Sequence, residues 1–449
     1  MKKRIFVDKS YYKNIFTLAL PIILANAGQS VVMIADNVMV GRLGAVPLAA
    51  ASLAGAIIHI ALVFVMGLSL SLTPIVGELF ANKNYKKCAV FFENSLSLNV
   101  ITVLIMTILL SLFIPFFDNI GQAPEVIELT IPFYTFLLFS VIPLVLFFTF
   151  KQFMEGIGNT KVSMYITLIC NVINIILNYA LIYGKLGCPE MGATGAAVST
   201  LISRTLMPIL FFGYMYRNIE YKRFFYFFKR TYLKISEHIQ LLKIGLPISG
   251  QLVVEVSALS FIMVMSGWIN PESIAASQIM HSVVSVMFMI TVGISGAVTI
   301  LTSHKFGKKD GAAIRDYTKA GVLMAAVFMC FASIIFLLFA EPIVSIFTTD
   351  LEVQKIATRL LILAVFLEVF DGIQVTALGG LRGIKDVSKP MTYAVILYIF
   401  VNVPIAYIFG FVLNMETIGI WMGFIVCIGI ASILFSRRLF MKARSIRPY

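Results

Sequence analysis

The sequence predicts an all-α membrane protein: twelve transmembrane helices in two six-helix lobes, related by a pseudo-two-fold axis along the membrane normal. Three observations carry that prediction. Twelve apolar runs have spanning length, basic residues alternate between the connections, and the first half of the chain repeats in the second. Composition sets the class. Of 449 residues 59% are apolar and 13% charged, with a mean hydropathy of +0.95. A soluble protein of this size could not hide so much apolar surface, so lipid is the solvent for most of the chain.

A spanning helix needs about 20 apolar residues at about 1.5 Å each. Runs that meet this lie at 14–40, 48–78, 90–116, 127–150, 162–184 and 193–216 in the first half. The second half supplies 244–270, 274–303, 316–340, 353–380, 390–411 and 417–436. Short interruptions rich in Gly, Pro, Asn and charge separate them, too short to hold a soluble domain. Five cysteines (Cys88, Cys170, Cys188, Cys330, Cys427) are scattered with neither metal spacing nor a disulfide pattern, and read as small packing residues. Lys2, Lys3 and Arg4 before an apolar run holding Ala25-Asn26-Ala27 imitate a cleaved signal peptide. The repeat described below makes that run a structural helix instead.

A formal charge of +13 would suit a nucleic-acid partner, but the basic residues sit in the short connections, so none is expected. One set of connections holds Lys2, Lys3, Arg4, Lys9 and Lys13; Lys83, Lys86 and Lys87; Lys161; Arg217 to Lys234; Lys305, Lys308, Lys309 and Arg315; Arg382, Lys385 and Lys389. The tail adds Arg437, Arg438, Lys442, Arg444 and Arg447. The other set has Arg42, Lys185, Lys355 and Arg359 beside Glu125, Glu190, Glu272, Asp350 and Glu416. The positive-inside rule then puts both termini in the cytoplasm.

Residue i matches i+226 without gaps through Leu20-Pro21-Ile22 and Leu246-Pro247-Ile248, Gly67 and Gly293, Thr73 and Thr299, Lys83 and Lys309. Later, Gly158 pairs with Gly383 and Gly195 with Gly419 as loops shift the offset. Six spans per half is an even number, so the halves share one orientation. The expected division is an N-lobe over 1–216, a cytoplasmic basic linker over 217–243 that also lies on the membrane, and a C-lobe over 244–449.

A symmetric scaffold does specific work where its symmetry fails. Glu255, the one charge between Lys243 and Glu272, has Gln29 as its mate; Asp36 corresponds to Ile262, and Asp371 to an apolar position near Leu146. Glu255 lies twelve residues from Lys243 and Asp371 eleven from Arg382, which sets both about 16–18 Å inside the cytoplasmic edge. A carboxylate at that depth costs several kcal/mol unless partnered or wet, so it marks a functional site before it marks a buried hydrogen bond. Glu368, Asp371 and Gln374 recur at i, i+3 and i+6 and share a face. Three acids and an amide at one level can ligate a hard cation such as Na⁺ or hold protons, and neither helix offers them a basic partner there.

Asp36 lies 23 residues beyond Lys13, about 34 Å along its helix and so nearer the outer surface. Asn171, Asn174 and Asn178 share a face of the fifth helix, the last at comparable depth, and Asp36 with Asn174 and Asn178 forms a candidate N-lobe polar site or an interhelical glue. Arg204 reads as structural, neutralising an acid or snorkelling, and His281 as a hydrogen-bonded core residue. Gly156-Ile157-Gly158 follows no strand, and no Walker loop occurs, so ATP is not the direct energy source. Gln29, Gln278, Met263 and Met289 are substrate-cavity candidates, the methionines because thioethers make adaptable surfaces for flat apolar cations.

These residues bring in a family. The stretches LALPIILANAGQSVVMIADNVMVGRLG, GIGNTK and NIILNYALIYGKLGCPEMGATGAA, with GLPISGQLVVEVSA, AASQIMHSV, VGISGAVTI and DGIQVTALGGLRGIKD in the second half, resemble the multidrug and toxic compound extrusion (MATE) transporters of the NorM-type branch. The resemblance implies alternating access and efflux of organic cations in exchange for Na⁺ or H⁺. It makes Glu255 and Asp371 the C-lobe cation-binding acids and Asp36 the N-lobe acid. Two departures stand out: Asn178 replaces a carboxylate that some relatives carry, and Leu367 replaces a tyrosine. The first tilts the reading towards Na⁺ at Glu255 and Asp371. The expected protein is therefore a cation-coupled antiporter and not an enzyme, with no cofactor beyond the coupling ion. It would act as a monomer in a bacterial inner membrane, its partners organic cations and lipid. The alternative within the superfamily is a flippase for a lipid-linked precursor, which would want a basic cavity. An intramembrane aspartyl hydrolase and a passive channel are the rivals from other classes.

Overall fold

The computed structural model describes residues 7–119, 121–228 and 233–446. Among them there is no strand, and twelve helices are long and apolar enough to cross a membrane. In chain order the helices are α1 (Lys9–Gly41), α2 (Ala45–Ser69), α3 (Leu72–Ala81), α4 (Tyr85–Ser111), α5 (Pro124–Gly156), α6 (Lys161–Tyr183) and α7 (Gly192–Arg217). They continue with α8 (Ile219–Phe228), α9 (Ile235–Gly267), α10 (Pro271–Gly307), α11 (Gly311–Ser345), α12 (Leu351–Gly383), α13 (Ser388–Val395), α14 (Val403–Tyr407) and α15 (Glu416–Ser445). Each of the twelve apolar runs finds its helix. Of the basic residues used to orient the chain, Lys2, Lys3, Arg4, Lys229, Arg230 and Arg447 lie outside the described residues.

Local chemistry sets the boundaries. Asn84 and Asp310, repeat mates, cap α4 and α11 by accepting from Lys87 N and Ala313 N at 3.2 and 2.9 Å. The residues before them, Lys83 and Lys309, both turn with positive φ (57° and 54°), so the repeat extends to backbone conformation. Two runs depart from the single regular helix expected. The second is cut into α2 and α3 at Leu70-Ser71 because Pro74 has no N–H for the Leu70 carbonyl. The eleventh holds π-helical turns at Ile396–Asn402 and Ile408–Val412 on either side of α14, where Pro404 likewise lacks its donor.

Compactness divides the chain differently from the 1–216 and 244–449 halves read from the repeat. One unit is Leu24–Ser249; the other joins Met1–Ile23 to Gly250–Tyr449. Both cuts fall inside helices, α1 and α9, and glycine explains them. In the Leu24–Ser249 unit, a Cβ on Gly67 would lie 2.6 Å from the Ser249 backbone; in the other, one on its mate Gly293 would lie 2.3 Å from the Ile23 side chain. Backbones approach this closely only over a missing side chain.

The connection 217–243 is helical at both ends. Its first part is α8, which docks in the Leu24–Ser249 unit: Phe224 is fully buried, edge-on to Phe153, and Arg223 lies 4.1 Å over the Tyr85 ring. Its last part is already α9. The unit's apolar core gathers Ile58, Val103, Phe117, Tyr134 and Leu138; the other core gathers Leu361, Tyr398, Trp421, Phe424 and Phe435. Large side chains such as Ile108, Phe331 and Leu338 stay more than 60% exposed, the surface expected where lipid replaces water.

Candidate functional site

Each unit assembles one buried polar constellation. In the Met1–Ile23/Gly250–Tyr449 unit the meeting point is Tyr398, fully buried on the first π-helical turn. Gln374 Nε2 on α12 donates to Tyr398 Oη at 2.9 Å, and Tyr398 Oη donates to Glu255 Oε1 on α9 at 3.2 Å. Three helices are tied by one hydroxyl. Glu255 and Asp371, both half-buried, are near enough for their charges to interact, and so are Asp371 and Glu368. The convergence expected of Glu255, Asp371 and Gln374 is therefore present.

Two expectations need correcting. No group of three His, Cys, Asp or Glu side chains is arranged to hold a metal ion among the described residues, so the three acids do not form one cage. The reason is helical: Glu368 sits a turn outward of Asp371, and of these two acids Glu255 interacts with Asp371 only. A cation there would be held by two carboxylates and neutral oxygens. Nor is the cluster without a base. Arg382, read as a marker of the cytoplasmic edge, is half-buried and interacts electrostatically with Glu255. Its long stem carries the guanidinium inward from the last turn of α12.

The spans that carry these residues hold unpaired polar atoms. Glu368 Oε1, Gln374 Oε1, Gln251 Nε2, Arg382 Nε and both side-chain atoms of Asn402 are buried without a hydrogen-bond partner. Three of the six are oxygens. With Glu255, Asp371 and Glu368 against Arg382, acids outnumber bases three to one. This is a site short of positive charge.

In the Leu24–Ser249 unit, Asn178 is the hub. It donates to Asp36 and to Asn174 Oδ1 (3.2 Å) and accepts from Ser199, while Asn174 Nδ2 donates to Ser203 Oγ at 3.1 Å. Asp36, Asn174 and Asn178 are thus brought together as expected. Arg204 interacts electrostatically with Asp36 and donates from Nη1 to Ser140 Oγ at 2.7 Å, so of its two sequence readings the acid-neutralising one holds. Here one acid faces one base and the amides are satisfied, which makes the cluster an interhelical brace as built. Replacing the hub, Asn178→Leu, unpairs Asp36, Ser199 and Asn174 together. It is expected to cost about 2 kcal/mol of stability, read as a lower detergent melting temperature.

The substrate-cavity candidates are less gathered. Gln278 is exposed, Gln29 and Met289 are partly exposed, and Met263 packs against the apolar core of its own unit. In the same unit a cavity of about 760 Å³ opens between the ends of α11 and α12, lined by Glu341, Gln354, Lys355 and Arg359, and it contains none of the candidates. Sequence reasoning missed Tyr398, Asn402, Arg382, Ser199 and Ser203. Asn402, an amide inside an apolar run, was the one detectable signal; a tyrosine or serine in such a run is unremarkable.

A family model described as MatE matches the chain twice, over 21–180 and 247–408. The chain belongs to the MatE family. The two matches fall on the two halves of the repeat; the first takes in Asp36, Asn174 and Asn178 and the second Glu255 to Asn402. Among its relatives is the "Multidrug resistance protein NorM" of Photobacterium profundum, 31% identical over 434 residues, covering 95% of this chain and 94% of that one. The NorM protein of Vibrio cholerae is 29% identical over 443 residues, covering 96% of each. Solved MatE folds agree: the eukaryotic MATE transporter AtDTX14 superposes with a TM-score of 0.85 at 19% identity over 98% of each chain. The Vibrio cholerae MATE transporter VcmN in its bent form gives 0.86 at 17% identity, covering 97% of this chain and 98% of that one. The protein is a multi-pass membrane transporter, not an enzyme.

Proposed function

We propose that this transporter is a multidrug antiporter that exports small organic cations by alternating access, driven by Na⁺ entering at Glu255 and Asp371. The observation that carries the reading is the imbalance of acids over bases around Glu255, set against the one-to-one balance at Asp36. Relatives named multidrug resistance proteins support the cargo class. Glu255 and Asp371 supply charge to the ion, Gln374 supplies a neutral oxygen, and Tyr398 holds Glu255 and Gln374 in register. Met263 and Met289 meet the cargo with deformable thioethers. A basic cavity, which a pyrophosphate-bearing lipid precursor would need, has no counterpart in this acid-rich cluster, so the flippase reading is the weaker one.

Coupling works only through differential affinity: the ion must bind one access state more tightly than the other. Arg382 gives a physical basis, since a cation arriving at Glu255 competes with the guanidinium for the same carboxylate. The positive-inside pattern puts both termini in the cytoplasm of a bacterial inner membrane, with the chain acting as a monomer. The driving force is about 1.4 kcal/mol per decade of Na⁺ gradient. Exchange of one Na⁺ for one monovalent drug is electrically neutral and leaves the membrane potential unused. Ethidium efflux from everted vesicles, energised separately by Na⁺ and by pH, tests this. Efflux is expected with a Na⁺ gradient at zero pH gradient. Efflux driven by the pH gradient alone would replace Na⁺ with H⁺, and flux without any gradient would make the protein a channel.

A further inference from the structure

The repeat itself exposes an amide with nothing to do. The close approaches of the last two spans in each half fix the register. A Cβ on Gly195 would meet Leu181 O and Ile182 N at 2.7 and 3.0 Å; one on Gly419 would meet Phe409 O and Gly410 N at 2.5 and 2.8 Å. Leu181 thus corresponds to Phe409, and Gly195 to Gly419. Counting back and forward, Asn174 corresponds to Asn402, Asn178 to Ala406, Ser199 to Gly423 and Ser203 to Cys427. A second contact agrees. Ser199 bonds Asn178, and a Cβ on Gly423 would lie 2.6 Å from Ala406 N.

In the first repeat Asn174 is fully employed, its Nδ2 donating to Ser203 and its Oδ1 accepting from Asn178. In the second repeat both partners are gone, replaced by Cys427 and Ala406. Asn402 is nevertheless retained, 0% exposed, with Nδ2 and Oδ1 both unpaired. A buried amide without partners is a cost that an apolar residue of the same size would remove. Asn402 ends the π-helical turn that begins at Ile396 and carries Tyr398, whose hydroxyl holds Glu255 and Gln374. Fourteen residues from Ser388, it lies about 21 Å in, at the level of Glu368 and within a turn of Asp371. Polar groups of interrupted helices at mid-membrane serve transporters as ion ligands.

We infer that the Asn402 side-chain oxygen is a direct ligand of the small monovalent cation held by Glu255 and Asp371, and that its absence from the hydrogen-bond network keeps it free for that ion. The inference rests on the Na⁺ reading above and adds a neutral ligand that decides how tightly the ion is held.

The test uses the purified full-length protein in detergent, with NaCl exchanged for choline chloride at constant ionic strength, and follows melting temperature against Na⁺. Wild type is expected to be stabilised by Na⁺. Asn402→Leu, nearly the same size, should raise the half-saturating Na⁺ at least tenfold. In choline alone it should melt at or above the wild-type temperature, because an unpaired amide has been removed. A variant that melts lower by the same amount in both salts would make Asn402 a packing residue and overturn the inference; so would an unchanged Na⁺ response. Asn402→Asp keeps an oxygen at the same atom and should keep the response, and its loss there would also count against the assignment. If wild type shows no Na⁺ response, the coupling-ion reading fails and takes this inference with it. If wild type responds, Glu255→Gln abolishes the response and Asn402→Leu leaves it intact, only the Asn402 assignment falls.

Discussion

Glu255→Gln is expected to abolish Na⁺-driven efflux, with initial rates in everted vesicles falling at least about 100-fold at matched protein levels, equivalent to about 2.7 kcal/mol of lost coupling. The amide keeps the shape and can still accept from Tyr398, so the three-helix tie through Gln374 survives. What it removes is charge. The ion loses one of its two nearby carboxylates, and Arg382 loses the acid it faces. The guanidinium, compensated by Glu255 in wild type, then opposes an incoming cation and leaves the ion Asp371 alone of its two carboxylates. Drug flux down its own concentration gradient should persist, because the substitution uncouples the cycle without dismantling the fold. Coupled efflux at the wild-type rate would remove Glu255 from the mechanism.

Gly379→Ala is expected to destabilise the protein strongly although it adds one methyl group. The new Cβ would lie 2.4 Å from Ser295 O and 2.5 Å from Ser295 Oγ on α10, inside any permitted contact and against backbone. The same crossing is pinned by Ser295 Oγ donating to Val375 O at 2.7 Å and Thr299 Oγ1 donating to Gly379 O at 2.9 Å. To admit the methyl group α12 must move off α10, and Asp371 and Gln374 move with it. The cost is about 3 kcal/mol, visible as a lower melting temperature, with loss of Na⁺ stabilisation beyond what the melt alone explains. Gly55→Ala is the matched control: a Cβ there meets nothing within 4 Å, and helix propensity favours alanine. Equal melting temperatures for the two variants would mean the α10–α12 approach is not a constraint.

The contrast between the two repeats shows how a transporter divides its labour. Thr73 and Thr299 are repeat mates with the same task, each donating to a main-chain carbonyl across the bundle, at 3.0 Å to Gln152 O and 2.9 Å to Gly379 O. These are scaffold. Asn174 and Asn402 are repeat mates with different fates, one braced and one idle. The acids follow the same rule: Asp36 faces Arg204 in a satisfied network, whereas Glu255 faces both Arg382 and a second acid, Asp371. Symmetry builds the frame and its failures make the site.

Local pattern alone determined a great deal here. Run length and apolarity mark twelve spans because a bilayer imposes its thickness on every crossing segment independently. The offset of 226 marks the repeat, and the depth of Glu255 and Asp371 follows from helical rise, which does not depend on neighbours. Gln374 shares a helical face with Asp371 for the same reason. Only the tertiary structure decided what those residues face. Arg382 turned inward because its stem outreaches one helical turn, which no position count reveals. Tyr398 became the hub because a π-helical turn around Pro404 aims it at another helix, and Asn402 became conspicuous because the partner its repeat mate finds on a distant helix is missing, along with the one a turn away. The ends of α1 and α9 joined the opposite repeat because Gly67 and Gly293 leave room for a backbone. Each of these is a relation between segments distant in sequence, and periodicity, which reads one segment at a time, carries no information about it.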